Sequence, residues 1–386
     1  MRAQSPNHFC RSLLALAALP LLAAACGSSN PSATGPASSA ACGSSAPGGV
    51  LSAACDTSSP GMTLTGAGAS SINPFFTRAF YDYHLANKGV SVNFSPSGSS
   101  VGVSDIQAGT VSFADSEIPI AVPASGTGGT ILQIPVDLGG VALSYNLPGV
   151  AAGLRLDGPT LAGIFLGTIA RWNDASIAAL NPRVSLPDLA IVPVHRADSS
   201  GPGYDLDQYL IDAGGPAWTT KIGTTTPSTH WPLASVGVGE QLNTGVASYI
   251  GQTAGAIGYV EYAYAVQAGY HDVALKNAAG AFVTPSEASI SAAGAQAPSL
   301  SAGNFNIVDG SGASAYPLAN FSWALMYQKQ PSTDQGIVIG KLFDWVTAAG
   351  QAPAGSMGYS PLPANAVSLA HQTLMTLETS SGAPIF

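Results

Sequence analysis

The stretch GSSVGVSDIQAGTVSFADSEIP, residues 98–119, contains the alternation of elements that decides the fold. It follows an alternating strand over Val90–Phe94 and predicts a short helix over about residues 101–108, which a glycine ends. A second strand, Val111–Phe113, then leads to Asp115-Ser116-Glu117 at its carboxyl end. Because open α/β folds bind ligands at that end of their strands, the stretch predicts an α/β fold with Glu117 at a binding edge.

An earlier unit of the same kind surrounds Ser70 and Ser71. A strand near Leu64 leads through two glycines to these serines, and apolar residues at i, i+3, i+4 and i+7 up to Tyr83 predict a helix after them. Ser70, Ser71 or Asn73 is placed to cap this helix. A dinucleotide-binding fingerprint has glycine where this chain has Ser71, so the turn does not favour a nucleotide site.

A later unit reads VPVHRADSSGP over residues 192–202 and again places serines before a helix. A strand runs to Val194, Arg196 follows it, and a helix begins near Pro202 and continues to about Leu210. Helix N-termini bind anions through unpaired N–H groups, although each of these turns is also consistent with an ordinary cap. Three such turns, together with Arg196 and Glu117, predict an oxyanion site if they converge in space.

Composition excludes several classes of protein. The 386 residues carry a formal net charge of −9, and only 9% are charged, against about 25% in a typical soluble chain. A nucleic-acid partner is therefore not expected, because phosphate backbones require a basic face. Apolar residues reach 46%, enough for a sizeable core, and four cysteines are too few for a disulfide scaffold. No histidine pair has metal-ligand spacing, so we expect neither a metal nor a cofactor.

Residues 1–26 have the organisation of an export signal. Arg2 and Arg11 precede an apolar stretch, Ser12–Ala25, that is shorter than the about 20 residues needed to span a bilayer. Cys26 follows three alanines, and the segment resembles a bacterial lipoprotein signal whose cysteine becomes the lipidated first residue. A simple secretory signal cleaved nearby is the alternative. We therefore expect an extracytoplasmic protein anchored to the cell membrane through its N-terminal lipid.

Residues 27–61 consist mainly of Gly, Ser, Pro and Ala, with Asp56 as the one charged residue. Such a composition cannot bury enough apolar surface to fold, so the segment is predicted to be a tether. Cys42 and Cys55 lie within it, and the sequence leaves open whether they pair.

Residues 62–386 are similar to the PstS family of periplasmic phosphate-binding proteins, which serve the bacterial phosphate ABC importer. Blocks in the same order along the chain carry the similarity: LTGAGAS (64–70), GSSVGV with AGTVSFADSEIP (98–119), YNLPGV (145–150), LDGPTLAGIFLGTIARWND (156–174), ALNPRVSLPDL (179–189), VHRADSSG (194–201), TAGAIGYVEYAYA (253–265) and GYSPLP (358–363).

The resemblance implies a two-lobed α/β fold of the type II periplasmic-binding-protein (Venus flytrap) kind, with two chain crossings between the lobes. Residues 62–137 and 260–386 would form lobe one, and residues 138–259 would form lobe two. It implies a monomeric binding protein, not an enzyme, that binds inorganic phosphate and delivers it to the membrane permease and ATPase subunits of an ABC importer.

The resemblance also implies a set of ligand contacts, each carried over by position. Asp198 would hold the planar guanidinium of Arg196 in place. The contacts themselves fall on Ser70, Ser71, Ser99, Glu117, Arg196, Ser200, Gly201 and Pro202.

Three of these positions depart from the family pattern. Ser71 replaces the usual Phe, which matters little if the contact is the backbone N–H. Glu117 replaces Asp and keeps the carboxylate that would accept a proton from hydrogen phosphate. Pro202 replaces Thr and removes both an N–H and a hydroxyl donor, so water or the N–H of Gly203 would have to substitute.

Other functions remain as alternatives. The same fold could bind another oxyanion, or act as a surface sensor or adhesion module without a transporter. A serine hydrolase is the enzymatic alternative, because Gly98-x-Ser100-x-Gly102 satisfies G-x-S-x-G after a strand and before a helix. Tyr and Trp side chains are interpreted as core residues in preference to a sugar-binding platform. The candidate bases for a hydrolase are His195, His230, His271 and His371.

Overall fold

The structure is a computed structural model, and it describes residues 61–297 and 299–386. The expected export signal, its lipidated Cys26, nearly all of the tether and both Cys42 and Cys55 lie outside these residues. Within the described ranges, no helix combines the length and the apolar character needed to cross a membrane.

The elements alternate along the chain as an α/β fold requires. The strands are β1 Met62–Gly68, β2 Val90–Ser95, β3 Phe113–Ser116, β4 Ala124–Gly126, β5 Gly129–Tyr145, β6 Arg155–Leu156, β7 Val192–Arg196, β8 Val238–Glu240, β9 Ala256–Glu261, β10 His271–Asp272, β11 Ala274–Lys276, β12 Phe282–Val283 and β13 Ala319–Tyr327. The α-helices are α1 Asn73–Ala86, α2 Ser99–Ala108, α3 Gly158–Phe165, α4 Ala175–Leu180, α5 Gly201–Ala213, α6 Pro216–Ile222, α7 Leu242–Gln252, α8 Tyr262–Ala268, α9 Glu287–Gly294, α10 Thr333–Thr347 and α11 Ala364–Leu374. Two short 3₁₀ helices span Ala349–Gln351 and Gly355–Met357.

The main sheet has the strand order β2-β1-β3-β13-β5-β9-β7-β8, with β4 and β10 paired to β5. A small sheet has the order β12-β11-β6. The predicted strand at Val111–Phe113 begins two residues later, at Phe113, and extends through Ser116. It does so because β3 pairs in parallel with β1, from Gly66 opposite Phe113 to Gly68 opposite Asp115.

The long strand β5 joins the two lobes. Its first part, Ile131–Gly140, pairs with β13, whereas Val141–Tyr145 pairs with β9. Gly139 lies where the partner changes, and a Cβ there would collide with the Glu261 carboxylate. One strand therefore runs through both lobes, and the fold is the two-lobed type II arrangement that was expected from the sequence.

One segment after residue 260 pairs with strands that lie in the range expected for lobe two. His271 and Asp272 in β10 pair with the second-lobe part of β5, and β11 pairs with β6. Residues 271–276 therefore pair with strands in that range, and the assignment of residues 62–137 and 260–386 to lobe one and of residues 138–259 to lobe two stays a prediction.

Aromatic side chains fill both cores. In lobe one, Phe76 packs on Phe80 with ring centroids 4.6 Å apart, and Phe113 packs against Phe343 at 5.0 Å. In lobe two, the largest fully buried side chains include Trp172, Trp218 and Tyr259. The interpretation as core residues is confirmed for Trp172, Trp218, Trp323, Tyr259 and Tyr264, whereas Tyr262 and Trp345 are only partly buried.

Candidate functional site

The three serine-bearing turns meet around Glu117. Its carboxylate lies near Ser71 and Arg196, both of which influence its pKa. Its Oε2 atom lies against Gly201, where a Cβ would collide with it. The second turn closes on the third, because a Cβ on Gly98 would lie 3.3 Å from the Asp198 carboxylate. The convergence that the sequence could only assume is therefore present, with all the named ligand positions buried.

The first turn does not use its serines as caps. Helix α1 begins at Asn73 with Ile72 at the N-cap, and no side chain caps it, so the prediction that Ser70, Ser71 or Asn73 caps this helix is wrong. Ser70 Oγ instead accepts a hydrogen bond of 3.1 Å from the Asn243 amide across the cleft. The Ser70 hydroxyl therefore forms a contact between the lobes, and the Ser71 hydroxyl is left for the site.

The second turn presents the start of α2. Gly98 is the N-cap with φ of 99°, a conformation that favours glycine, and no side chain caps the helix. The N–H groups of its first turn have no partner within the helix. Ser100 Oγ hydrogen-bonds to Ser199 Oγ of the other lobe. The Ser100–Ser199 hydrogen bond thus holds the start of α2 against the third turn. The first N–H groups of α2 are directed away from the body of the helix.

The third turn is capped by its own serine. Ser200 Oγ accepts a hydrogen bond of 3.1 Å from the N–H of Gly203 at the start of α5. The sequence suggested water or the Gly203 N–H as a substitute for the donors missing at Pro202. Because the Gly203 N–H is already bound to Ser200 Oγ, it does not serve as that substitute. Gly201 supplies the remaining backbone donor of this first turn.

Arg196 forms a two-pronged ion pair with Asp198. Its Nε donates to Asp198 Oδ1 at 2.7 Å, and its Nη2 donates to Oδ2. Burial alone raises the pKa of Asp198, but Arg196 and the N–H of Leu242 hold that pKa below its ordinary value. Because the fork fixes the guanidinium plane, the remaining N–H groups of Arg196 have a defined direction.

Glu117 is 4% exposed and is the acceptor at the centre of the site. Burial raises its pKa to about 7, while the nearby Ser71 hydroxyl, the charge of Arg196 and the Asn320 amide counteract this rise. Ser71 Oγ lies close to the carboxylate without forming a hydrogen bond of good geometry. Glu117 therefore changes protonation near neutral pH.

Three buried polar atoms at this place lack a hydrogen-bond partner among the described residues: Ser71 Oγ, Ser99 Oγ and Glu117 Oε2. Buried polar groups are normally paired, so unpaired ones call for a further partner, of which a ligand is one. Two hydroxyls, helix N-termini, one guanidinium and one carboxylate together suit an oxyanion that carries a hydrogen. Because the net negative charge of the chain repels anions at long range, the attraction for an oxyanion must come from local hydrogen bonds and helix dipoles.

Sequence reasoning missed a layer of buried polar residues behind Glu117. Asn320 on β13 contacts Glu117 directly, and Asp205 on α5 contacts Asn320. Asn243 reaches Ser70, and Glu261 accepts the N–H of Gly140 at 3.0 Å. Asp205 follows Pro202 by three residues, so helical spacing could have suggested it, whereas no local signal marks Asn320.

The geometry does not form a hydrolase site around Ser100. Its hydroxyl pairs with Ser199, and no histidine of the described residues hydrogen-bonds to it. The four candidate bases have other partners: Arg196 O for His195, Thr229 for His230, Val150 O for His271 and Asp344 for His371. Within the same residues, no group of three or more His, Cys, Asp or Glu side chains is arranged to hold a metal ion.

The family model and the relatives that match this chain agree with one another. A model described as a PBP superfamily domain matches residues 38–349. The chain is 40% identical over 309 residues to the phosphate-binding protein PstS of Xylella fastidiosa (strain 9a5c), covering 78% of this chain and 82% of that protein. It is 36% identical over 304 residues to the phosphate-binding protein PstS of Pasteurella multocida (strain Pm70), covering 78% of this chain and 86% of the relative.

Solved structures agree on the fold. The crystal structure of a phosphate-binding protein from Stenotrophomonas maltophilia is similar with a TM-score of 0.62 and 19% identity, covering 81% of this chain and 93% of that one. A high-affinity periplasmic phosphate-binding protein, solved with phosphate bound, is similar with a TM-score of 0.60, the same identity and the same coverage. At this identity the likeness bears on the fold alone.

Proposed function

The chain belongs to the PstS family of phosphate-binding proteins, and we propose that it binds inorganic phosphate outside the cytoplasm and delivers it to an ABC-type importer. The partners are the membrane permease and ATPase subunits of that importer. The named relatives are binding proteins, and the protein acts by binding and release, without catalysis. One observation supports the proposal most: a buried carboxylate oxygen, Glu117 Oε2, has no hydrogen-bond partner among the described residues and lies against Gly201 at the start of α5, with Ser71 and Arg196 near the carboxylate.

This geometry supports a proposed set of ligand contacts. Arg196, oriented by Asp198, faces the ligand charge, and the hydroxyls of Ser71 and Ser99 donate to ligand oxygens. Glu117 Oε2 accepts the ligand's proton. The other contacts of the proposed site, which complete the set implied by the resemblance, are Ser70, Ser200, Gly201 and Pro202.

Discrimination between oxyanions rests on Glu117. Hydrogen phosphate donates its proton to the carboxylate, whereas sulfate has none to donate at neutral pH and brings an unprotonated oxygen against Oε2. A buried charge facing another charge of the same sign is strongly disfavoured. The site therefore prefers phosphate over sulfate while Glu117 is ionised.

The N-terminal part completes the proposal. Lipid on Cys26 anchors a monomer to the membrane, and residues 27–61 tether the two-lobed body beside the permease. Incorporation of a radiolabelled fatty acid into the wild-type chain, and its loss in Cys26→Ala, would test this anchoring. Labelling that persists in Cys26→Ala would contradict it.

Calorimetric titration with phosphate, arsenate and sulfate tests the binding function. Micromolar or tighter binding of phosphate and arsenate, with far weaker binding of sulfate at pH 8, is the expected result. A chain that binds sulfate as tightly as phosphate would instead be a member of the family adapted to another oxyanion.

A further inference from the structure

A short series of side chains crosses the cleft behind Glu117. Asn320 Nδ2, on β13, donates to Asp205 Oδ2, on α5 of the other lobe, at 2.7 Å and to Glu117 Oε1 at 3.4 Å. All three side chains are buried, with exposed fractions of 4–5%. None of the proposed phosphate contacts explains why Asp205 and Asn320 are buried here.

Asn320 acts on one oxygen of Glu117 only. Its amide nitrogen carries two hydrogens, one for each carboxyl that it contacts. A flipped amide would direct its carbonyl oxygen at two carboxyl groups, so the surrounding acceptors define its orientation. Because Oε1 accepts this N–H, a proton on Glu117 belongs on Oε2, which lies against Gly201 and has no partner among the described residues.

Asp205 adds a second buried acid beside Glu117. Burial raises the pKa of Asp205, and the charge of Glu117 raises it further. Among the described residues, Arg196 brings a positive charge to this place, and other titratable groups face it from the elements packed around it. These groups include Asp115 on β3, Asp137 on β5, Tyr204 on α5, Glu261 on β9, Tyr264 on α8 and Tyr359, which follows the 3₁₀ helix Gly355–Met357.

Burial makes a negative charge costly at both Glu117 and Asp205, so a further negative group beside them is disfavoured unless a proton arrives with it. The contact between Asn320 and Asp205 keeps this second acid near Glu117 and thereby increases the cost of an oxyanion that carries no hydrogen. The pair thus acts on ligand choice through Glu117, without touching the ligand.

We infer that Asp205 and Asn320 are positioning residues for Glu117, which assign its proton-accepting role to Oε2 and sharpen the preference for a hydrogen-bearing oxyanion over a proton-free one. This inference rests on the proposed phosphate function. Both lobes then contribute to the distinction between protonated and unprotonated oxyanions, since Asp205 contacts Asn320 from lobe two.

A double-mutant cycle tests the role of Asn320. Phosphate affinity is measured by calorimetry for wild type, Asn320→Ala, Glu117→Gln and the double variant at pH 8. Loss of a hydrogen bond to a charged group predicts about 10- to 100-fold weaker binding for Asn320→Ala in the wild-type background. In the Glu117→Gln background the same substitution should change affinity by no more than about 3-fold, because the group that Asn320 positions is already altered.

Asn243→Ala is the matched control. Asn243 is also a buried asparagine that bridges the lobes, but its amide contacts Ser70 and not Glu117. Its effect on phosphate affinity should be the same, within about 3-fold, in both backgrounds. Melting temperatures of all variants identify any that fail to fold.

Asp205→Asn provides a second readout that does not depend on Asn320→Ala folding. The variant keeps an oxygen for the Asn320 amide and removes the acid. We expect phosphate binding to persist and the phosphate-to-sulfate affinity ratio at pH 8 to fall about 3- to 10-fold. Equal effects of Asn320→Ala in both backgrounds, or an unchanged ratio in Asp205→Asn, would overturn the inference.

These outcomes separate the inference from the proposed function. If wild type binds phosphate, Glu117→Gln weakens it and Asn320→Ala is merely additive, the inference alone fails. If wild type binds no phosphate, both fail together.

Discussion

Replacing Arg196 with methionine is the perturbation that most directly removes the attraction for an anion. Arg196 is 2% exposed, and Asp198 occupies its Nε and one hydrogen of Nη2. Three of the five guanidinium N–H groups remain, and we expect two of them to donate to the ligand. Hydrogen bonds to charged groups contribute about 1.5–3 kcal/mol each, so Arg196→Met should weaken phosphate binding by about 3–6 kcal/mol. At 1.4 kcal/mol per factor of ten, the loss is about 10²- to 10⁴-fold.

The substitution also leaves Asp198 without its partner, which could destabilise the protein for a reason unrelated to binding. The double variant Arg196→Met, Asp198→Asn removes both charges and restores a balanced site. We expect it to melt near the wild-type temperature and still to bind phosphate at least 100-fold more weakly. Arg171→Met is the matched control, because the Arg171–Asp188 ion pair lies exposed at the surface and away from the site.

Calorimetric titration of the folded variants with phosphate tests whether Arg196 contacts the ligand. A double variant that melts like wild type and binds phosphate with unchanged affinity would show that Arg196 does not face the ligand. A loss of the same size in Arg171→Met would show that net charge, and not the site, controls the affinity.

Three further predictions concern other parts of the chain. A chain that begins at Gly61 should melt within about one degree of the chain that begins at Cys26, because residues 27–61 offer little to bury; a difference of several degrees in thermal unfolding would contradict this. Pro202→Thr should restore an N–H and a hydroxyl at the start of α5 and tighten phosphate binding by about 1–3 kcal/mol in calorimetry, whereas unchanged or weaker binding would place residue 202 outside the ligand shell. A fluorophosphonate probe should not label Ser100, whose hydroxyl pairs with Ser199; labelling that Ser100→Ala abolishes would support the hydrolase alternative.

Local patterns predicted the parts of this fold that local physics controls. The strands before Ser70, Ser99 and Arg196 and the helices after them are encoded in alternation, apolar spacing and glycine placement, and the structure contains each of them. The capping of α1 could not be obtained in this way. Which group Ser70 contacts depends on Asn243, which is 173 residues away in the chain.

The layer behind Glu117 shows the same limit more strongly. Asn320 lies 203 residues from Glu117 along the chain and 115 from Asp205. Pairing of β13 with β3 brings Asn320 to Glu117, whereas Asp205 reaches Asn320 from helix α5. The pairing of residues 271–276 with β5 and β6 has a related cause, since no local signal in the sequence indicates these distant strand partners. Periodicity indicates an element and its buried face, but it does not indicate which distant element will pair with it.

Titration of wild type with phosphate and with sulfate at pH 5.5 and pH 8.5 tests the central claim most directly. Since the pKa of Glu117 is about 7, the carboxyl is protonated at the lower pH and ionised at the higher one. Sulfate needs the protonated form, so its affinity should fall by about 30-fold from pH 5.5 to 8.5, while phosphate, which brings its own proton, should change by only a few-fold. Glu117→Gln should flatten the sulfate profile and weaken phosphate. The claim is that the Glu117 carboxylate accepts the proton of the ligand and so favours phosphate. It would be contradicted if sulfate bound as tightly as phosphate at pH 8.5 and Glu117→Gln left sulfate binding unchanged.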